Sequence, residues 1–178
     1  MNFYIRHGGG HSMWKSLSKH FGKYPSQAKV AKLLLVYGLK VQEGRVYCGD
    51  VEIADMALGR AAGVDRRIVR SAIDTIQESP ELSAVYSRLM TTALLTDVAP
   101  VMGWTALEII PTDAATPGIV AEVTGLIARE GISVRQTVVS DPDLSPDPRL
   151  FIITAGSVPP ELLPQIRACK GVRSVVIH

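Results

Sequence analysis

The sequence predicts an α+β protein, with an all-helical N-terminal domain followed by a C-terminal domain of βαββαβ order. Three observations predict it. Apolar residues recur at helical spacing through the first half, as at Val30, Leu33, Leu34 and Tyr37. In the second half, two one-faced helical stretches alternate with short β-branched runs. Between the halves, residues 96–103 carry Pro100 and Gly103 and read as a connector. The expected organisation is a tail and short helix over 1–23, a helical domain over 24–95, the connector, and a second domain over 104–178.

A chain of 178 residues has room for two small domains, and its 47% hydrophobic and 20% charged residues are those of a folded protein rather than a disordered one. No apolar run approaches the roughly 18–20 residues that span a bilayer. The net charge of +2 excludes nothing by itself. Residues 1–100 hold 13 Lys and Arg against 9 Asp and Glu, whereas 101–178 hold 6 against 8. That asymmetry suits two modules with different partners, and equally suits ordinary scatter of surface charge. The two cysteines, Cys48 and Cys169, form neither a disulfide framework nor a metal-ligand spacing, so a reducing cytoplasm is expected.

Residues 1–12 show no helical or strand period, and Gly8, Gly9 and Gly10 interrupt regular structure. The segment lacks the apolar core of a secretory signal and the strand that precedes a phosphate-cradling loop. His7 and His11, an isolated pair, do not make a metal site. Codons for Gly-Gly can resemble a ribosome-binding sequence just upstream of Met13, so Met13 is the expected native start. An intact mass of natively expressed protein that includes residues 1–12 would overturn this.

Trp14, Leu17 and Phe21 predict a short first helix. Ser26 is placed to cap a second, carrying Val30, Leu33, Leu34 and Tyr37 and stopping at Gly38. Residues 39–47 alternate around Glu43-Gly44 and predict a hairpin. Over 53–78 a helix ends at Gly63, where a left-handed conformation is cheapest, and Asp65 caps the next. Ile68, Val69, Ala72, Ile73 and Ile76 make its apolar stripe; Arg66, Arg67, Arg70, Asp74 and Gln77 face outward. Gly59, Ala61 and Ala62 allow a close crossing. This is the spacing of a helix-turn-helix, whose second helix presents its early residues to the DNA major groove. On that reading Arg66, Arg67 and Arg70 contact phosphates or guanine edges. The alternative is a solvated face of an interaction module, because Asp55, Asp65, Asp74 and Glu78 nearly neutralise the arginines. Pro80 ends the helix, and a further short helix is expected over 81–92. The connector is apolar, so it is expected to be packed between domains.

In the second half, residues 105–111 read as a buried strand and 112–118 as a loop whose Pro117 is positioned to begin a helix. Ile119, Val120, Val123, Leu126 and Ile127 form one face of that helix, which ends at Gly131. Residues 132–140 read as a strand with Ile132, Val134 and Gln136 on one side. Residues 141–148 form a loop, and 150–154 a third strand. Pro159-Pro160 opens a helix carrying Leu162, Leu163, Ile166 and Ala168, in which Pro164 is tolerable only within about the first turn. Residues 172–177 are the last strand. Two helices, each between strands, give a split βαβ, ferredoxin-like sheet with both helices on one face. Its open edges predict association with a second copy, as a homodimer or a higher oligomer.

Pro111-Thr112-Asp113 leading to Pro117-Gly118-Ile119, then Gly131-Ile132-Ser133, resembles the ACT domain of metabolic regulators. With Gly63-Val64-Asp65-Arg66-Arg67-Ile68-Val69-Arg70 and Val134-Arg135-Gln136, residues 24–178 resemble an archaeal family of regulators of amino acid metabolism with a C-terminal ACT domain. The resemblance implies binding of an amino acid-like effector at a dimer interface, cupped by the loop before the first helix. The chemistry of the loop agrees. Backbone N–H groups of Gly118 and Ile119 favour a carboxylate at a helix start, and Gly118 has no Cβ to obstruct it. Thr116 lies in the same loop, Asp113 can accept from an α-ammonium group, and Arg135 and Gln136 can complete a polar ring. Alternatively, Asp113 and Pro117-Gly118 merely shape a turn. Residues 114–116 depart from the commonest ACT pattern by separating Asp113 from Pro117-Gly118. No catalytic constellation, metal set or cofactor motif is legible. The expected partners are a small effector and double-stranded DNA, or instead a metabolic enzyme or other protein onto which a sensor subunit docks; no membrane is expected.

Overall fold

The computed structural model describes residues 12–178. The readings of Gly8 to Gly10, of His7 and His11, and of where the native chain starts concern residues outside that range. The fold is α+β, with helices first and a four-stranded antiparallel sheet after them. It divides into two compact units, one ending at Thr92 and the other starting at Ala93.

In the first unit, α1 (Met13–Leu17) starts where the Ser12 hydroxyl accepts from Lys15 N at 3.2 Å, and a 3-10 turn (Ser18–Phe21) continues it. Helix α2 (Pro25–Val36) begins one residue before the expected cap Ser26. The reason is Pro25, whose fixed φ and missing N–H suit the first helical position. Val30, Ala31, Leu34 and Leu35 are buried, but Tyr37 lies past the helix end and is 63% exposed, so it is not core. Strands β1 (Lys40–Gln42) and β2 (Arg45–Cys48) form the expected hairpin, with positive φ at both Glu43 and Gly44. A third strand, β3 (Val51–Ile53), pairs with β2, so the N-terminal unit is not all-helical. Gly49-Asp50 is a two-residue turn of hairpin chemistry, but three residues of alternation after it are too short to register as a strand.

Helix α3 (Asp55–Ala62) ends at Gly63 with φ 66°, and α4 (Arg66–Glu78) starts from Asp65, whose carboxylate accepts from Arg67 N at 2.8 Å. Val69, Ala72, Ile73 and Ile76 are fully buried along one stripe of α4. Burying each of the larger three, Val69, Ile73 and Ile76, contributes on the order of 1.5–3 kcal/mol. Helix α5 (Pro80–Tyr86) is shorter than the expected 81–92. Beyond it, the Thr91 hydroxyl is shared between the carbonyls of Tyr37 (3.1 Å) and Gly38 (3.2 Å), which holds this stretch out of a helix.

The second unit contains β4 (Thr105–Pro111), α6 (Ile119–Arg129), β5 (Val134–Val139), β6 (Leu150–Thr154), α7 (Leu162–Ala168) and β7 (Val172–Ile177), with strand order β5-β6-β4-β7. Leu107, Ile109, Leu150 and Ile152 bury against Ile119, Val123 and Ile127 of α6 and Leu162 and Ile166 of α7. Alternation turns Ala106, Phe151 and Ile153 to the other face, where Leu95, Ala99 and Trp104 cover them. The segment read as a connector thus belongs to the second unit and packs on its own sheet. Pro164 is the third residue of α7, within its first turn. Helix α6 starts at Ile119 rather than Pro117, because Gly118 at φ 97° intervenes as its cap. Strand β5 carries a bulge: Val134 pairs with Thr154 but Gln136 with Ile153. Arg135 is the extra residue, so Val134 and Gln136 face opposite sides, against strict alternation.

Candidate functional site

A pocket of about 360 Å³ opens at the end of the sheet where β4 and β5 finish and β6 begins. Ile109 and Leu150 line it from the sheet, Ile119 and Val120 from α6, and Val139 from the edge strand. Its polar lining residues are Thr116, Ser140 and Arg149. The loop that carries Thr116 is tied at its start to Gly171 and folded beyond that by its own short-range bonds. Thr112 N donates to Gly171 O at 2.8 Å, Thr116 N donates to Asp113 O at 3.1 Å, and the Asp113 carboxylate accepts from Ala115 N at 2.9 Å. The left-handed Gly118 then aims the chain into α6, whose first-turn N–H groups have no intrahelical acceptor. A Cβ at Gly118 would meet only a Glu122 carboxylate oxygen at 3.9 Å, so its φ rather than crowding requires glycine.

Of the six effector-binding candidates, Thr116, Gly118 and Ile119 line this pocket, and Asp113, Arg135 and Gln136 do not. Asp113 is exposed and spends its carboxylate on the turn. The Arg135 guanidinium lies 3.8 Å from the centroid of the Trp104 ring. Gln136 accepts from Leu95 N at 3.0 Å and donates to Ala93 O at 2.7 Å, fixing the segment that covers the outer sheet face. The polar ring expected from Arg135 and Gln136 is therefore not formed. The bulge at Arg135 and the competing partners account for it.

Sequence reasoning missed Arg149. It donates to Glu108 at 2.5 Å and to Asp147, while the other Glu108 oxygen pairs with His178 Nε2 at 2.9 Å. Its only signal was a basic residue closing an acidic, proline-rich loop. The contact with Glu108 follows from the pairing of Ile109 with Leu150, which sets Arg149 diagonally across from Glu108.

In the first unit, Arg66 and Arg67 stand exposed in the first turn of α4, and among the described residues neither side chain has a partner. Arg70 differs. Its guanidinium donates to Gly44 O at 2.5 Å and lies 4.0 Å from Asp55, so the hairpin turn holds it. Ser71 turns its hydroxyl back to Arg67 O, and Asp74 and Glu78 make the later turns of the exposed side acidic. Among the described residues no group of three His, Cys, Asp or Glu side chains is arranged to hold a metal, and no helix is long and apolar enough to cross a membrane.

No protein-family model matches this chain, and no curated protein matches it. Among solved structures it is similar to an AsnC family transcriptional regulator from Agrobacterium tumefaciens, at 14% identity and a TM-score of 0.29, over 86% of this chain and 86% of that chain.

Proposed function

We propose that this chain is a sensing regulator: the C-terminal domain binds a small amino acid-like effector, and the helix-turn-helix unit binds double-stranded DNA. The observation that carries the reading is the pocket at the start of α6. Its volume and mainly apolar lining with a few polar groups suit a small ligand. An effector carboxylate is favoured at the N–H groups of Gly118 and Ile119, with the Thr116 hydroxyl beside it. On the DNA side, Arg66 and Arg67 are the uncommitted cations at the start of α4, where a recognition helix enters the major groove. Association of two copies through the open β5 or β7 edges belongs to the same reading.

Coupling between the two ligands is expected to change affinity about 5–150-fold, reciprocally. Fluorescence anisotropy with a selected DNA site, with and without an effector shown calorimetrically to bind, measures it; equal DNA affinity in both conditions removes the coupling. One observation favours a second reading, in which the helical unit docks on a protein. Arg70 is held by Gly44, and Asp74 and Glu78 follow it, which leaves little net positive charge along α4. Affinity purification that retains a specific protein and no DNA would select this version.

A further inference from the structure

Residues 12–42 hold six lysines, Lys15, Lys19, Lys23, Lys29, Lys32 and Lys40, and no Asp or Glu. Their charge exceeds the net +2 of the whole chain. The first five are exposed, and among the described residues none of them pairs with a carboxylate. Lys15 and Lys19 stand about one turn apart on α1 and the 3-10 turn, and Lys29 and Lys32 share a face of α2. The Lys32 ammonium lies 6.0 Å from the centroid of the Trp14 ring, which sets the lysine-bearing sides of α1 and α2 next to each other. Lys23 lies in the link between them. Glu81 reaches these elements from α5, where His20 Nε2 engages it at 3.0 Å. Two contacts fix the patch beside the last turns of α4. Ser79, the C-cap, lies 3.5 Å from His20 Nδ1, and the Thr75 hydroxyl donates to Gln27 at 2.9 Å. At a rise of about 1.5 Å per residue, Arg66 is roughly 20 Å away at the other end of that helix.

A bilayer, an acidic protein and a nucleic acid all carry the matching negative charge. Insertion into a bilayer needs an apolar helix face as well, and that of α1 and the 3-10 turn is spent on the core: Leu17 is 3% exposed and Phe21 1%. Protein interfaces are depleted in lysine. Phosphate backbones favour it, because an ammonium on a flexible stem is a point charge that neutralises phosphates without reading bases. Single strands are held on rows of aromatic rings, whereas between Lys15 and Lys32 only Tyr24 is an exposed aromatic side chain. We propose that Lys15, Lys19, Lys23, Lys29 and Lys32 form a sequence-independent surface for the phosphate backbone of double-stranded DNA, separate from the start of α4. The proposal goes beyond the sensing reading and requires neither an effector nor base contacts from Arg66 and Arg67. With both surfaces occupied, duplex DNA is contacted at both ends of α4.

Anisotropy titrations of the full chain against a fluorescent duplex of arbitrary sequence, across a salt series, test this. The variant combines Lys15→Gln, Lys19→Gln, Lys23→Gln and Lys29→Gln, and keeps Lys32 for its contact with Trp14. Each neutralised phosphate contributes about 0.9 to the slope of log K against log salt, so the variant should lose about 3–4 of that slope. Arginine at the same four positions should restore it. A matched control, Arg129→Gln, Arg167→Gln, Lys170→Gln and Arg173→Gln, removes the same charge from the second unit and should stay within about 1 of the wild-type slope. Preference for a selected site over the arbitrary duplex should survive the lysine variant, because phosphate contacts carry no sequence information. Circular dichroism checks that each variant is folded. A lysine variant that loses no more slope than the control overturns the proposal, as does a wild-type chain that binds no duplex at low salt. Vesicles of equal parts phosphatidylcholine and phosphatidylserine, and a single strand of the same sequence, are the competing probes. Tighter binding of either, abolished by the same variant, reassigns the patch and overturns the duplex as its partner. If the slope falls as expected while no sequence is preferred, the lysine surface stands and the groove reading at Arg66 and Arg67 fails.

Discussion

Tyr86 is fully buried in the first unit and donates its phenolic proton to Ala31 O at 3.0 Å. Burial pushes its pKa up from the usual value of about 10. A folded-state pKa above the unfolded one gives stability that is complete below about pH 10 and is lost as pH rises toward the folded value. Tyr86→Phe should therefore cost about 0.5–1.5 kcal/mol at neutral pH through the lost hydrogen bond. It should also flatten the decline of stability above about pH 10. Urea unfolding of both proteins at pH 7 and in the alkaline range measures the difference, and an equally steep alkaline decline in the variant would refute the linkage. Single residues also show why sequence reading of the site was incomplete. Gly118 and Thr116 were legible because a turn and a helix start are local. Arg149 was not, since its contact with Glu108 depends on the register between β4 and β6. Gln136 was misread because its partners, Ala93 and Leu95, are more than forty residues away.

At the scale of elements, the α3–α4 crossing carries its own signals: Gly63 for the left-handed turn and Asp65 for the cap. That is why it could be read without a partner in view. What escaped were the three-residue strand β3, too short to show a period, the bulge within the expected strand β5, and the early end of the expected helix α5. Gly59 tests the crossing. Alanine in a helix interior is ordinarily favoured over glycine by about 1 kcal/mol. Here a Cβ would sit 2.8 Å from the backbone oxygen of Val64, which is itself fixed by its N–H bond to Gly59 O at 2.9 Å. Gly59→Ala should therefore destabilise the first unit by about 1–3 kcal/mol, as overpacking does. Thermal unfolding followed by circular dichroism decides the sign; a raised melting temperature would mean that α3 and α4 do not approach this closely.

At the scale of the whole molecule, each unit has its own buried core, so on the proposed reading substitutions in one unit alter the DNA-facing surface or the effector pocket without unfolding the other. Charge supplies the sharpest separation. Residues 1–100 carry the excess of Lys and Arg, and on α4 that excess is delivered by Arg66 and Arg67, whereas Arg70 is bound to the β1–β2 turn. A side chain that neutralises one phosphate contributes about 0.9 to the slope of log K against log salt on duplex DNA. Arg66→Ala and Arg67→Ala together should lower that slope by about 2 while leaving the unfolding free energy nearly unchanged. Arg70→Ala should do the reverse, reducing stability through the lost Gly44 bond with little change in slope. Anisotropy titrations across a salt series, with urea unfolding of the same variants, separate the two effects. A slope that falls for Arg70→Ala and holds for the double variant would move the DNA-facing surface away from the start of α4, toward the side of the helix beside the hairpin.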